Sequence, residues 1–566
     1  MPVSMKKKWV IAPPIPEQVI QELRDYPPLL RQLLYNRGIT DAASARDFMD
    51  AAPSRYDPFL LCDMEVAVER LLQAVDRQEK IAVYGDYDVD GVTSTVLLVQ
   101  VLRRLGANVR EYIPNRFDEG YGLNREAISH LAEMGVRLVV TVDCGIRSPE
   151  EVEHAHSLGV DVIISDHHHP QETLPAALAV VCHRRPDNTY PDTNLAGVGL
   201  AYKIAQALLS RRPVPGVEAE DWLDLVALGT VADLVPLTGE NRKLVRAGLN
   251  RMRLGYRQGL VSLAQAAGVS LPRVTANEIA YYLGPRLNAA GRLESALAAF
   301  ELLNSDDVFQ TGMLAQRLDD QNRERQKLTL QTQVQAEALA RETGLENILF
   351  AVHPDFNSGI VGLAASKLVE THYRPAVVGQ MGEEFTRASC RSIPEFHITE
   401  ALDACRDLLV RHGGHAMAAG FTVRNENLPE LIRCLREITN QALGERDLCP
   451  TIRADAELRL SEPMASLMPM LDLLQPFGQG NPEPQFISRD LRIIRAKPVG
   501  SEGQHLRLTV ADKHVFFDAI AFRQGEWASR LPERVDLVYQ FERNVWNGRE
   551  TLQLNVKDIK PAGEPD

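Results

Sequence analysis

The stretch Lys80–Gly91, KIAVYGDYDVDG, decides the architecture. Ile81, Ala82 and Val83 make a short apolar run of the kind a buried strand shows. The run leads into Asp86, Asp88 and Asp90, spaced i, i+2, i+4, which in extended chain share one face. Three carboxylates so close repel, and each holds its proton to higher pH unless a positive charge compensates. Carboxylate oxygens are hard ligands, so a divalent cation is the expected compensator. Taken alone, the same residues also suit a solvated acidic turn, because Asp and Gly are ordinary turn formers. The chain downstream decides between the two.

From about residue 80 to 240, strand and helix patterns alternate, which predicts an α/β fold with a mostly parallel sheet. Thr93–Leu105 reads as the helix after the first strand. Val136–Val142 (VRLVVTV) reads as the next strand and runs into Asp143. Asp161–Ile164 (DVII) reads as another, followed by Ser165-Asp166-His167-His168-His169. A helical stretch, Asp221–Gly229, precedes Thr230-Val-Ala-Asp233. Sites in open α/β sheets form at the carboxyl ends of strands. Acidic groups arriving there from separate segments are poorly explained by solvation. Asp88, Asp90, Asp143, His167 and Asp233 are therefore the candidate ligands, and mixed Asp/His ligation suits Mn²⁺ or Mg²⁺ better than zinc. Two cations ~3.5–4 Å apart and bridged by a carboxylate are the device of phosphatases and nucleases. Hydrolysis of a phosphoester or phosphoanhydride is the expected reaction.

Outside this region the chain is long enough, at 566 residues, for two to four domains. Residues 1–55 read as a small helical lead-in and 56–300 as the catalytic domain. Asp306–Gly344 reads as one polar helix, its run from Leu314 to Glu342 free of Gly and Pro, with the whole connector over 301–345. A second α/β lobe is expected over 346–447, and short alternating strands over 448–566 suggest an antiparallel barrel of the OB type. A net charge of −14 argues against a protein coated in basic residues for duplex binding, but not against a basic channel on an acidic body. Seven scattered cysteines without a CxxC pair predict neither a disulfide framework nor a zinc site. The first residues lack the apolar core of a signal peptide, and no apolar run approaches a membrane span, so a soluble cytoplasmic protein is expected.

Asp166-His167-His168 after a strand, with the DxD before it and a single aspartate on either side, resembles the DHH phosphoesterase superfamily. Within it the chain is similar to the RecJ family of bacterial single-strand-specific 5′→3′ DNA exonucleases. The likeness extends through Gly413-Gly414-His415 in the second lobe, Tyr112–Gly122, Gly284-Pro-Arg-Leu-Asn-Ala-Ala-Gly-Arg292 and Pro476-Phe-Gly-Gln-Gly-Asn-Pro-Glu-Pro484. The resemblance implies that Asp88 binds one cation and Asp90 the other, that Asp143 bridges them, and that His167 and Asp233 complete the second site. Asp166 would orient His167 through its other ring nitrogen. His168 would contact the scissile phosphate, with His169 a bystander. Relatives often carry a His where this chain has Tyr84, so Asp86 or a water is expected to fill that place.

The second lobe fits a substrate clamp. A Gly-rich helix start at Ser358-Gly-Ile-Val-Gly presents N–H groups to phosphate. Arg391 with Ser389 and Ser392 suits a terminal 5′-phosphate. Arg116, Arg286 and Arg292 are added by the resemblance as backbone contacts. Phe516, Phe517 and Phe522 are candidate stacking platforms, with the barrel core the favoured place for most of them. Single-stranded DNA is the implied substrate, with a single-stranded-DNA-binding protein and a DNA helicase as partners and no membrane. Two rivals are a DHH enzyme acting on pyrophosphate, cyclic dinucleotides or short oligoribonucleotides, and a non-catalytic single-strand-binding relative. The barrel and long connector weigh against the first, the intact ligand set against the second.

Overall fold

A computed structural model of the chain describes residues 6–50, 52, 56–115, 122–293, 295–342, 344–444, 446–461, 467–546 and 549–566. They form two compact units, one of Asp50–Leu328 with Pro476–Pro482, the other of Met1–Met49, Thr329–Gln475 and Glu483–Asp566.

The first unit is built on strands β1 (Lys80–Gly85), β2 (Asn108–Tyr112), β3 (Val136–Val142), β4 (Asp161–Ser165) and β5 (Ala179–Val181). They pair in parallel in the order β2-β1-β3-β4-β5. Alternate residues enter opposite cores. Ile81, Val83, Leu138, Val140 and Ile163 face one, and Ala82, Tyr84, Val139, Val162 and Ile164 the other. A parallel sheet covered on both faces buries both, which is why its strands are unbroken apolar runs. The helices are α1 (Val89–Arg104), α2 (Arg125–Glu133), α3 (Pro149–Ser157), α4 (Gly197–Arg211), α5 (Leu223–Ala232), α6 (Gly239–Arg253) and α7 (Gly284–Leu293). Ala127, Ile128, Leu131, Val152 and Ala155 place α2 and α3 on the second core, whereas α1, α4 and α5 fill the first.

The expected connector is the single helix α8, Val308–Glu342. Beyond it, strands β6 (Leu349–His353), β7 (Ala376–Met381), β8 (Phe385–Arg391), β9 (Leu409–His415) and β10 (Ala418–Arg424) form a mixed sheet in the order β9-β10-β8-β7-β6. Helix α9 (Val361–His372) follows β6. The C-terminal strands are β11 (Phe486–Val499), β12 (His505–Asp512), β13 (Val515–Ala521), β14 (Arg534–Trp546) and β15 (Arg549–Pro561). They run β11-β12-β13-β15-β14, and pairing of β11 with β14 closes the barrel.

Three expectations are revised. The lead-in is helical over Glu17–Glu22, Pro28–Tyr35 and Ala42–Met49, but it opens with a strand, Lys8–Ile11, paired in parallel with Thr451–Ala454. Trp9 from that strand is buried and donates its indole N–H to Asp558. The lead-in thus folds with the C-terminal half of the chain. Cys405 and Cys434 form a disulfide. Cys405 ends one helix of the second lobe and Cys434 lies in another, so their meeting follows from packing and not from spacing. Phe516 and Phe522 are exposed, whereas Phe517 is half-buried against Phe541.

Candidate metal centre and phosphate cradle

Asp86, Asp143 and Asp166 follow immediately after β1, β3 and β4, so the parallel register delivers them to one edge. The backbones leave the sheet still tied to it: Asp143 N–H donates to Ser165 C=O, and Asp166 N–H to Val181 C=O. Asp143 has φ +61°, the left-handed region. A non-glycine residue held there marks a place where the surroundings impose the backbone, as they do at functional sites.

Asp88 caps α1, its Oδ1 accepting from the N–H groups of Asp90 at 2.9 Å and Gly91 at 3.1 Å. Asp90, in the first turn, is buried and accepts from Gly197 N–H at 2.6 Å and Val198 N–H at 2.8 Å, at the start of α4. A Cβ on Gly197 would stand 2.7 Å from Asp143 Cβ, so this helix start approaches as closely as it does only because residue 197 has no side chain. Asn288 in α7 accepts from Val89 N–H. Neither the Gly197–Val198 pair nor Asn288 was singled out from the sequence. A Gly-rich helix start, Ala196-Gly-Val-Gly, was the available signal.

Donor atoms converge in three groups, each within 4.8 Å: Asp86, Asp88 and Asp143; Asp90, His167 and Asp233; and Asp143, His167 and His168. His167 Nε2 stands 3.1 Å from Asp143 Oδ1, 3.6 Å from Asp233 Oδ2 and 3.9 Å from Asp90 Oδ2. Asp143 Oδ1 and both His167 ring nitrogens are buried and make no hydrogen bond. Burial draws His167 down to about 3, so its imidazole is neutral and offers a lone pair. Buried polar atoms converging without hydrogen bonds are suited to a cation, and hard oxygens with one imidazole fit Mn²⁺ or Mg²⁺.

Asp166 does not meet His167. Its Oδ1 accepts from His168 Nδ1 at 2.7 Å and His168 N–H at 3.0 Å, and its Oδ2 from Ile146 N–H at 2.9 Å. The residue therefore orients His168. Burial alone would lower the His168 imidazole, but the bonded Asp166 carboxylate more than offsets it and leaves the ring above its ordinary value. Tyr84 is equally remote from the ligands. It is fully buried in the second core, stacked on Tyr112, and donates its hydroxyl to Gly122 C=O. Asp86 is the group that stands with Asp88 and Asp143.

The carboxylates make stability depend on pH. Burial, then Asp88, pushes Asp90 up to about 7; burial, then Asp90, pushes Asp233 up to about 9; and burial with Asp90 holds Asp143 well above the ordinary range. Above pH 6.5, the ordinary histidine value, His167 is largely deprotonated folded or unfolded. There the folded carboxylates keep protons that the unfolded chain has lost. A folded state that binds more protons loses stability as pH rises. Metal-free protein is thus expected to melt lower at pH 9 than at pH 6.5, by on the order of 1 kcal/mol per pH unit for each retained proton. Mg²⁺ should abolish the slope. Calorimetry with EDTA or Mg²⁺ checks this, and a melting temperature that rises with pH in EDTA would refute it.

In the second lobe, Ser389 and Arg391 lie on one face of β8, against the start of α9: a Cβ on Gly362 would meet Arg391 Nη2 at 3.2 Å and Ser389 Oγ at 3.5 Å. Ser358 is half-buried in the turn before that helix. Across the sheet, Gly413 pairs with Gly420 and Gly420 with Ser389, while His415 pairs with Ala418 and Ala418 with Arg391. Gly413, Gly414 and His415 are exposed in the same strand. Ser392 departs from expectation, since it is buried and its hydroxyl donates to Phe396 C=O at 2.6 Å. Arg286 is likewise committed internally, its Nε to Asp319 at 2.9 Å and its Nη1 to Tyr282 C=O. Arg292 is half-buried in α7, and Arg116 lies outside the described residues.

Comparison with known proteins matches residues 80–230 to the DHH family N-terminal domain, 345–441 to the DHHA1 domain and 454–558 to the RecJ OB domain. The single-stranded-DNA-specific exonuclease RecJ of Bacillus subtilis (strain 168) is 39% identical, over 98% of this chain and 71% of that protein. The RecJ of Escherichia coli (strain K12) is 35% identical, over 95% of this chain and 96% of that protein. Among solved structures, RecJ from Thermus thermophilus in complex with Mn²⁺ superposes with a TM-score of 0.82 at 30% identity, covering 99% of this chain and 80% of that one. Its Mg²⁺ complex gives a TM-score of 0.77 at 28% identity, over 98% of this chain and 79% of that one.

Proposed function

This chain belongs to the RecJ family of single-stranded-DNA-specific exonucleases, and we propose that it releases 5′-mononucleotides from the 5′ end of single-stranded DNA. The observation that carries the reading is the buried convergence, without hydrogen bonds, of Asp143 Oδ1 and the His167 ring nitrogens between two carboxylate groups. Asp86 and Asp88 would hold one divalent cation and Asp90, His167 and Asp233 the other, with Asp143 facing both. Bound there, Mn²⁺ or Mg²⁺ supplies Lewis acidity that activates water and neutralises charge on the attacking and leaving oxygens.

The chain's own groups do the rest. Gly197 and Val198 N–H fix the Asp90 carboxylate, and the α1 cap fixes Asp88. Asp166 takes the Nδ1 hydrogen of His168 and sets that ring to meet a non-bridging oxygen of the scissile phosphate. Arg391 and Ser389, with Ser358 and the Gly413-Gly414-His415 strand beside them, hold the terminal 5′-phosphate, a dianion suited to a guanidinium and helix-start N–H groups. Arg116 and Arg292 contact the strand's backbone. Residues 56–300 thus carry catalysis, 346–447 phosphate recognition and 448–566 strand binding, with the exposed rings of Phe516 and Phe522 as stacking platforms.

A single-strand substrate must be unwound and is coated as it forms, so a DNA helicase and a single-stranded-DNA-binding protein are the partners we assign. Among the described residues no helix is long and apolar enough to cross a membrane, and we place the enzyme with its proposed DNA substrate in the cytoplasm. The test is product analysis on 5′- and 3′-labelled strands with Mn²⁺, Mg²⁺ or EDTA, beside a blunt duplex. Mononucleotides should appear from the 5′ label first, only with metal, and not from duplex. Hydrolysis of pyrophosphate or a cyclic dinucleotide with the strand left intact would overturn the reading.

A further inference from the structure

The segment Pro476–Pro482 belongs to the compact unit that carries the metal centre, although Gln475 before it and Glu483 after it belong to the other. Its sequence, Pro-Phe-Gly-Gln-Gly-Asn-Pro, forms a tight turn in which Gly478 N–H donates to Asn481 C=O and Asn481 N–H to Gly478 C=O. Asn481, 1% exposed, locks the turn from inside by donating its side-chain amide to Pro476 C=O at 2.8 Å. So self-contained a turn presents a rigid face.

That face lies on the strap Leu234–Thr238, which leads from Asp233 at the end of α5 to the start of α6. Leu237 N–H donates to Gln479 C=O at 2.7 Å. A Cβ on Gly478 would stand 2.7 Å from Leu237 Cδ1, and one on Gly480 (φ +73°) would stand 3.1 Å from Pro236 Cβ. Both glycines thus pack closely against the strap. Leu234, at φ +60° and 67% exposed, contributes little anchoring, so the strap is held through Val235 and Leu237, both buried in the first core. On its inner side Asn241 donates to Pro236 C=O. The turn closes the outer side.

We propose that Pro476–Pro482 is a positioning element for Asp233: by clamping the strap at Leu237, it fixes where the Asp233 carboxylate stands relative to Asp90 and His167. Gly478 and Asn481 are its key residues, and neither touches a ligand. The inference rests on the assignment of Asp233 to a metal group. Supporting groups that set a ligand's orientation typically govern metal affinity by ~10–100-fold.

The test is titration of Mn²⁺ into metal-free full-length protein, followed by calorimetry and by the electron paramagnetic resonance of unbound Mn²⁺, with no DNA present. Gly478→Ala and Asn481→Ala should weaken one class of Mn²⁺ site by ~10–100-fold. In kinetics at fixed Mn²⁺ below saturation they should lower kcat, leave KM for a 5′-phosphorylated oligonucleotide unchanged, and recover at high Mn²⁺. Should Gly478→Ala fail to fold, Asn481→Ala decides, since it removes the bond to Pro476 C=O without adding a side chain. Asp233→Asn separates the two levels. If it leaves Mn²⁺ binding intact, the metal assignment of Asp233 falls. If it weakens binding while the turn variants titrate like the wild type, even with lowered melting temperatures, the turn is only a structural stitch and the positioning role falls.

Discussion

Asp143→Asn is expected to cost at least ~1,000-fold in kcat on single-stranded DNA and, at the same time, to stabilise the metal-free protein. Asparagine is the right replacement because Asp143 holds φ +61°, a conformation that Asn tolerates and Ala resists. The fold should therefore survive, and the backbone N–H will still reach Ser165 C=O. What disappears is the charge. Asp143 is buried among Asp86, Asp88, Asp90 and Asp233, and each of the four contributes to holding its carboxyl above the ordinary range. Without a cation that crowding is a cost, so removing one member relieves it. With a cation the same carboxylate, grouped with Asp86 and Asp88 and 3.1 Å from His167 Nε2, would face both proposed ligand groups, so its loss should weaken Mn²⁺ binding as well as turnover. The paired readout is a higher melting temperature in EDTA with a smaller gain on adding Mn²⁺. An Asp143→Asn protein that turns over normally would sink the two-group reading. One that is inactive, with wild-type Mn²⁺ titration, would move Asp143 from the ligands to the substrate.

Such a site is legible in sequence where its residues are local. The DxDxD run, the aspartates closing β1, β3 and β4, and the Asp-His-His triplet all sit where a strand pattern stops, and a parallel sheet has only one edge to which strand ends can go. The barrel and the connector α8 are readable for the same reason, since period 2 and the lack of Gly and Pro from Leu314 to Glu342 are properties of contiguous residues. The misreadings concern partners distant in the chain. Arg286 looks like a free guanidinium until α8 brings Asp319 beside it. Ser392 is adjacent to Arg391, yet it lies just past the end of the strand and its hydroxyl turns inward to Phe396 C=O. Nothing local says that Cys405 will meet Cys434, that Lys8–Ile11 will pair with Thr451–Ala454, or that Pro476–Pro482 will fold onto the catalytic unit. The Asp166 assignment failed more subtly. Neighbouring histidines in an Asp-His-His run alternate in direction, and only coordinates show that the one hydrogen-bonded to the aspartate is the second.

That last point sets the second large effect. Asp166→Asn should lower kcat by roughly 100–1,000-fold, the scale of losing an oriented electrostatic partner of the reacting phosphate. The carboxylate accepts three hydrogen bonds, two from His168 at Oδ1 and one from Ile146 N–H at Oδ2. An amide has one oxygen and one NH₂ group, so in either flip a donor faces a donor. If NH₂ meets His168, the ring can accept from it only by giving up the proton at Nδ1, which reverses the tautomer presented at Nε2, and the His168 backbone N–H loses its acceptor. If NH₂ meets Ile146 N–H, the connection after β3 is strained instead and the protein melts lower. On the proposed assignment the cations are held by Asp86, Asp88, Asp90, Asp143, His167 and Asp233, without Asp166 or His168, so Mn²⁺ affinity measured without DNA should stay within a few-fold of wild type. Had Asp166 oriented His167, the same substitution would weaken Mn²⁺ binding by ~10–100-fold, as loss of a ligand's supporting group does. Mn²⁺ titration of Asp166→Asn thus discriminates between the histidines directly: unchanged affinity with lost turnover assigns Asp166 to His168 and the phosphate, and weakened affinity returns it to the metal.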